Sequence, residues 1–319
     1  MAAVEKSRTA VAPCSTANLG PGYDVFGLAL DAFEDRVKVT AARRSGTSGN
    51  IAIRMLGDQH GIPAAAASNS AGLVVMKMCK DYGIEDMVEV EVRKGVPAGY
   101  GMGSSAASAA AAALAFKSLY NLKIDRSALV EYAAEGEVAS AGTKHYDNVS
   151  ASVIGGFVIS SVAGNERRFI NIDPPRDLVL TVAIPVSMAV PAKKTEVARS
   201  VLPNEVPLRD VVHNVSAAST IVAGFSMGDV EMIAKGIDDA IVEPARKRLI
   251  PGYDNVKQNA LAAGALAVTI SGAGPSVIAF LKGTKKSKEV AAAMSGGFKS
   301  AGITSKAVVC RPSGGARLV

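Results

Sequence analysis

The stretch GVPAGYGMGSSAASAAAAALAF, residues 95–116, constrains this chain more than any other. Gly99, Gly101 and Gly103 strip the side chains from a short loop, and Ser104 and Ser105 then open a run made largely of alanine. Alanine is the strongest helix former, so the run reads as a helix. Ala107, Ala111, Leu114, Ala115, Leu119 and Leu122 recur at spacings of three and four, which predicts one apolar stripe. A glycine-rich loop can turn its amides toward a ligand, and the helix behind it adds the positive end of its dipole. Together they make an anion site.

The segments around this loop read as a mixture of strands and helices. Alternation predicts strands over 36–43, 50–56 and 87–95, with Val88, Val90 and Val92 on one face, and a helix over 70–82. A second helix runs over 127–141 and stops at Gly142, followed by a loop, a short helical turn and a strand within 143–162. The segment NIDPPRD carries two prolines and marks a domain boundary, giving domains 1–172 and 173–319. Beyond it come a strand (178–184), helices (193–201, 210–225, 229–240), a hairpin (265–283), a helix (287–301) and a strand (304–310). Strict βα alternation is absent, so the class is α+β.

The loop fits neither common phosphate fingerprint. A Walker A loop needs a Lys after its last Gly, whereas Gly103 is followed by Ser104 and Ser105. Dinucleotide loops need GxGxxG, but these glycines are spaced two and two. A polyphosphate cradle remains, its extra positive charge coming from elsewhere, most simply Mg²⁺, against the plainer reading of a glycine turn into a small-residue helix. Stepping by four from Leu129 gives Ala133 and Glu137, which places Glu137 on a buried stripe, while Glu131 and Glu135 project elsewhere. A buried carboxylate needs a partner, either a metal ion or a neighbouring Lys. The segment TISGAGPSVIAF, residues 269–280, is a strand, a tight turn and a strand that can bring amides near a ligand.

Composition narrows the partners. The net charge is +6, Trp is absent and aromatics make up 5%, so a base-stacking nucleic-acid platform is not expected. The one basic cluster, KGTKKSKE at 282–289, reads as a solvated turn and helix start. Cys14, Cys79 and Cys310 lie far apart without CxxC spacing, which supports neither a disulfide framework nor a zinc site. The longest apolar stretch, 178–192, is interrupted by Pro185 and Pro191 and is too short to span a bilayer. We therefore expect a cytoplasmic protein without a membrane partner.

Three segments, in order, resemble the signature motifs of the GHMP kinase superfamily: APCSTANLGPGYDVFGLAL (12–30), VPAGYGMGSSAAS (96–108) and SGAGPSV (271–277). The first, with GEVASAGTKHYDNVSASVIGGF and VEPARKRLIPGY, is similar to homoserine kinases, particularly archaeal ones. The Gly-Glu-His segment of mevalonate kinases and galactokinases is missing. This resemblance implies an N-terminal ribosomal-S5 domain-2-like domain, a C-terminal ferredoxin-like domain, a left-handed βαβ unit at the phosphate loop and a homodimer. It implies ATP held by Val96, Pro97, Ala98, Gly99, Tyr100, Gly101, Met102, Gly103, Ser104, Ser105, Ala106, Ala107 and Ser108, with Ser105 and Glu137 as Mg²⁺ ligands.

For L-homoserine the resemblance implies Asn18, Asp24, His145, Asp147, Arg199 and Arg246, and it places Asn18, Ser105, Glu137, His145 and Asp147 at the chemistry. These types suit a zwitterion, an acid taking the ammonium and arginines the carboxylate. The plainer alternatives are a surface charge for Arg199, a pair with Glu243 for Arg246 and a turn cap for His145. His60 and His213 lie in no motif. Several relatives have an Asp acting as base where this chain has Asn148, so no essential side-chain base is expected. The rival readings are a related kinase acting on mevalonate or shikimate and a non-catalytic nucleotide or metabolite sensor.

Overall fold

Two long strands, β1 (Lys6–Ala17) and β2 (Phe26–Ala42), form an antiparallel pair joined by the turn that contains NLGPGYD. The structure, a computed structural model, describes residues 6–42, 51–57, 61–163, 166–191 and 194–319; His60, Lys193 and the ends of the first two predicted strands, Arg43 and Asn50, lie outside them. β3 (Ile51–Gly57), α1 (Ser70–Tyr82) and β4 (Met87–Lys94) follow, with β3 parallel to β4 and β4 antiparallel to β2. Next come α2 (Ser104–Leu119), α3 (Arg126–Glu135), α4 (Glu137–Ala141), α5 (Asp147–Ile154) and the hairpin β5 (Phe157–Ala163) and β6 (Glu166–Ile172), whose first strand pairs with β2.

The second half begins with β7 (Leu178–Ile184), α6 (Lys194–Ser200), α7 (Leu208–Met227), α8 (Val230–Gly236), α9 (Val242–Arg246) and α10 (Tyr253–Ala262). It continues with β8 (Ala267–Ile270), β9 (Val277–Lys282), α11 (Ser287–Ser300), β10 (Lys306–Cys310) and β11 (Arg317–Leu318). Strands β7 to β10 form an antiparallel sheet in the order β10-β7-β9-β8, the ferredoxin-like order. The tail then returns to the first sheet, where Pro312 bridges Leu30, Gly314 bridges Gly155, and β11 pairs with β1.

Helix α2 is more deeply placed than its periodicity implies. Every residue from Ala106 to Ala113 is buried, so the helix has no solvent face over that span; Leu114 is only partly buried and Leu122 lies beyond its end. The physical reason is side-chain size, since alanines let α1, α3, α5 and the first sheet close on α2 from several sides at once. The helix predicted over 127–141 is two pieces. The Gly136 N–H reaches the Ala133 carbonyl at 3.0 Å, a tighter i−3 bond that ends α3, and α4 starts at Glu137. The helix predicted over 229–240 ends at Gly236. Its residue Ile237 joins Leu19, Phe26, Leu28, Phe157, Leu180 and Phe225 in a core shared by both sheets.

The three cysteines are free thiols, and among the described residues no helix is long and apolar enough to cross a membrane.

Candidate active site

The strand that delivers the glycine loop also delivers a charge. Alternation along β4 puts Lys94 on the same inward face as Val88, Val90 and Val92. Its ammonium donates to Asp35, to the Ser104 carbonyl at 2.9 Å and to Ser108 Oγ at 2.9 Å. Asp35, fully buried, also accepts from the amides of Gly95 at 2.9 Å and Val96 at 3.0 Å and from Ser108 Oγ at 2.6 Å. A buried ion pair is tolerated when its remaining donors and acceptors are used, and here they bind the loop entrance to the first turn of α2.

The loop is closed by the other two motifs. The Ser15 N–H donates to the Met102 carbonyl at 3.1 Å, and Ser271 Oγ donates to the Gly101 carbonyl at 2.8 Å. Asn18 is a clip: its Nδ2 donates to the Gly272 carbonyl at 2.8 Å and its Oδ1 accepts from the Asp24 N–H at 3.1 Å. Gly101 has φ of +76°, and a Cβ there would lie 2.2 Å from the Ser271 carbonyl oxygen and 2.7 Å from that of Gly274. Gly101→Ala is therefore expected to cost about 2–4 kcal/mol, combining left-handed strain with backbone displacement. Urea unfolding checks this, and an unchanged midpoint would contradict it. Gly103, with φ of +64°, holds the N-cap of α2 and has no side chain to compete for the first-turn amides.

At the first turn, Ser105 Oγ donates to Glu137 Oε1 at 2.6 Å. Leu129, Ala133 and Glu137 are all buried, as the fourfold step predicts. Burial pushes the Glu137 carboxyl up to about 7; the Ser105 hydrogen bond and Lys194 oppose this, and Asp147 adds to it. Lys194, at the start of α6, is pushed down to about 7 by burial and then by Arg246, with Glu137 opposing, and it donates to the Gly274 carbonyl at 2.5 Å.

Further along lies a pocket of paired charges. Arg199 Nη2 donates to both Asp24 oxygens, at 2.9 and 2.7 Å. Arg246 is buried, and donates through Nε to the Ala198 carbonyl at 3.0 Å and through Nη1 to the Gly272 carbonyl at 3.3 Å. Both guanidinium groups lie near the Tyr23 ring, at 5.4 and 5.0 Å from its centroid. Burial pushes Asp147 up to about 6, with Asp24 adding and Arg199 and Arg246 opposing. Burial, with Arg199, pushes His145 down, which favours its neutral form. Its Nε2 is 3.5 Å from Thr143 Oγ1, while Glu243 is taken by Lys257 and Thr269 and does not pair with Arg246.

One cavity of about 1010 Å³ joins these groups. Asn18, Asp24, Ser105, Glu137, His145, Asp147, Arg199 and Arg246 line it together with Ala98 to Ser105 and Ser108. Val96, Pro97, Ala106 and Ala107 do not; Val96 and Ala107 pack into the shared core, and Ala106 into the core around α2. His213 lies outside it, paired with Asp238 at 3.1 Å. The sequence reading missed Tyr23, Lys94 and Lys194, of which Lys94 was visible as a Lys continuing a Val-alternating face. The cavity thus has an amide-rich, hydroxyl-bearing compartment suited to phosphates and a compartment with both charge signs suited to a zwitterion.

Residues 69–156 match the family described as GHMP kinases N terminal domain and residues 218–300 that described as GHMP kinases C terminal. A homoserine kinase of Thermoplasma volcanium is 38% identical over 294 residues, covering 92% of this chain and 91% of that protein. One of Methanopyrus kandleri is 42% identical over 270 residues, covering 84% and 85% respectively. The crystal structure of homoserine kinase from Cytophaga hutchinsonii matches with a TM-score of 0.90 at 33% identity, covering 100% of this chain and 99% of that one. Two matched domains and relatives aligned over most of its length make this chain a member of the GHMP kinase superfamily and, within it, of the homoserine kinase family.

Proposed function

We propose that this chain transfers the terminal phosphoryl group of ATP to the hydroxyl of L-homoserine, giving O-phospho-L-homoserine on the route to threonine. The observation that carries this reading is the single cavity joining the loop at Gly99 to Ser105 with the compartment of Tyr23, Asp24, Arg199 and Arg246. A triphosphate suits the first, where amides and the α2 dipole offer positive potential. An α-amino acid suits the second, its ammonium on Asp24 and its carboxylate on the guanidinium groups. Mevalonate and shikimate carry no ammonium, and either would leave Asp24 without that partner. A coupled ADP-release assay over homoserine, threonine, serine, mevalonate and shikimate tests this; preference for an acceptor without an amino group would overturn it. The domain division at 172/173, where the chain passes from the first sheet to the second, and a homodimer belong to the same reading.

Ser105 and Glu137 fit Mg²⁺, being hard oxygen donors 2.6 Å apart on one cavity wall. Two protein oxygens leave most of the coordination shell to phosphate oxygens and water, so the ion would arrive with the nucleotide. When bound, it would neutralise charge on the phosphate oxygens. The chain itself supplies positioning. Loop amides hold the phosphates, Arg246 and Asp24 orient the amino acid, and the clip at Asn18 keeps Asp24 in its left-handed conformation, φ +58°.

Asn148 lines the cavity, its Oδ1 accepts from Ser15 Oγ at 3.0 Å, and its carboxamide is no proton acceptor. Transfer with loose, metaphosphate-like character asks little of a base. Asn148→Ala is therefore expected to lower kcat about tenfold or less, below the 10²-fold or more that removal of a base typically costs. The rival is Asp147, buried and raised to about 6. If Asp147→Asn lost about 10³ in kcat at unchanged homoserine KM, together with the limb of rising rate near pH 6, Asp147 would be a base and this mechanism would fall.

A further inference from the structure

The phosphate loop contains no lysine, and the cations lining the cavity differ in how far the protein already uses them. Among the described residues these are Lys94, Lys194, Arg199 and Arg246. Lys94 is consumed by Asp35, Ser104 and Ser108 beneath the loop. Arg199 is held by Asp24, and Arg246 by two backbone carbonyls, both against Tyr23 in the amino-acid compartment. Lys194 is different. Its hydrogen-bond partner among the described residues is the Gly274 carbonyl, which uses one of the three donors of an ammonium.

Its position is equally specific. Gly274 belongs to the turn that seats on Gly101 of the phosphate loop, so the Lys194 ammonium is anchored at the seam between the two halves of the cavity. The start of α6 approaches α4, and the charge of Lys194 acts on Glu137 on one side and is acted on by Arg246 on the other. Glu137 belongs to the phosphate compartment and Arg246 to the amino-acid compartment. Lys194 lines the cavity they share and lies within electrostatic reach of both compartments.

We infer that Lys194 is a catalytic residue whose ammonium donates hydrogen bonds to the phosphoryl group as it passes from nucleotide to acceptor. The inference rests on the kinase reading above. In that step the bond from the terminal phosphorus to the bridging oxygen breaks, its electron pair staying on ADP. A lone pair of the acceptor hydroxyl oxygen forms the new bond, and the hydroxyl proton leaves to solvent through the product phosphate. Bound phosphates favour the charged form of Lys194 against the burial that lowers it to about 7, and in the step the ammonium donates hydrogen bonds without transferring a proton, meeting charge spread over the equatorial oxygens, the role that a loop lysine or an arginine finger fills in other phosphotransferases. The second half of the chain thereby supplies a charge that the glycine loop of the first half lacks.

The test separates this role from that of a strut. Lys194→Met is expected to lower kcat about 10²- to 10³-fold while the KM values for homoserine and ATP stay within about threefold, because the contact is made chiefly in the transition state. Lys194→Arg should recover part of the loss, and methylammonium should restore activity to Lys194→Ala in a saturable manner. A strut bonded to Gly274 would instead show a lowered unfolding temperature, a raised ATP KM and no response to methylammonium. That pattern, or a Met variant with kcat within about threefold of the parent, would overturn the assignment. The parent assay keeps the two readings apart: a parent inactive on homoserine refutes the proposed function, whereas an active parent with an equally active Met variant refutes only the role of Lys194.

Discussion

Glu137→Gln is expected to abolish most turnover while making the protein more stable above neutral pH. The amide keeps an oxygen that can accept from Ser105 Oγ, now 2.6 Å from Glu137 Oε1, so the local geometry survives, but it carries no charge for a cation at the phosphates. Such a loss typically lowers kcat about 10²- to 10³-fold. The stability effect has the opposite sign. Burial raises the folded-state pKa of Glu137 from 4.5 to about 7, so the folded chain prefers the neutral acid. The parent therefore bears no penalty below the unfolded value of 4.5, loses stability progressively as pH rises, and bears the full cost above about 7. The displacement corresponds to about 3 kcal/mol. Thermal unfolding without divalent ions from pH 4.5 to 8 should show the Gln variant gaining on the parent as pH rises, and near-parental kcat at saturating Mg²⁺ would refute the assignment.

Arg246→Ala should raise the homoserine KM by about 10²- to 10³-fold, the cost of removing a charged fork from a carboxylate in a desolvated pocket. Arg246 is 3% exposed and pinned by the Ala198 and Gly272 carbonyls, so its charge is held in place before any ligand arrives. The ATP KM should stay within about threefold, because Arg246 sits in the compartment of Tyr23 and Asp24 rather than at the loop. Steady-state kinetics with each substrate varied in turn decides it. A parallel rise in both KM values would move Arg246 to the nucleotide or to the general architecture.

Local periodicity carried part of this site. The fourfold step from Leu129 through Ala133 to Glu137 foretold a buried carboxylate, and the glycine spacing foretold a bare loop before α2, because helix phase and side-chain size act over a few residues. The same reasoning applied to Lys94 would have found a buried cation, since Val88, Val90 and Val92 share its face, though not its partner Asp35 on another strand. It misjudged α2 as striped, because how many elements surround a helix is not written in its own period.

What only the tertiary structure decided are the partnerships made at long range. Asn18 clasps Gly272 across 254 residues of chain, Asp24 meets Arg199 across 175, and Lys194 finds Gly274 across 80. The tail β11 completes the first sheet with only two residues, too short for any alternating pattern. Motif order and residue type therefore determined which chemistry this chain could perform, since both are properties of the chain taken a few residues at a time. Which carboxylate faces which cation was decided when the two sheets closed over one core, because charge pairing depends on distance in space.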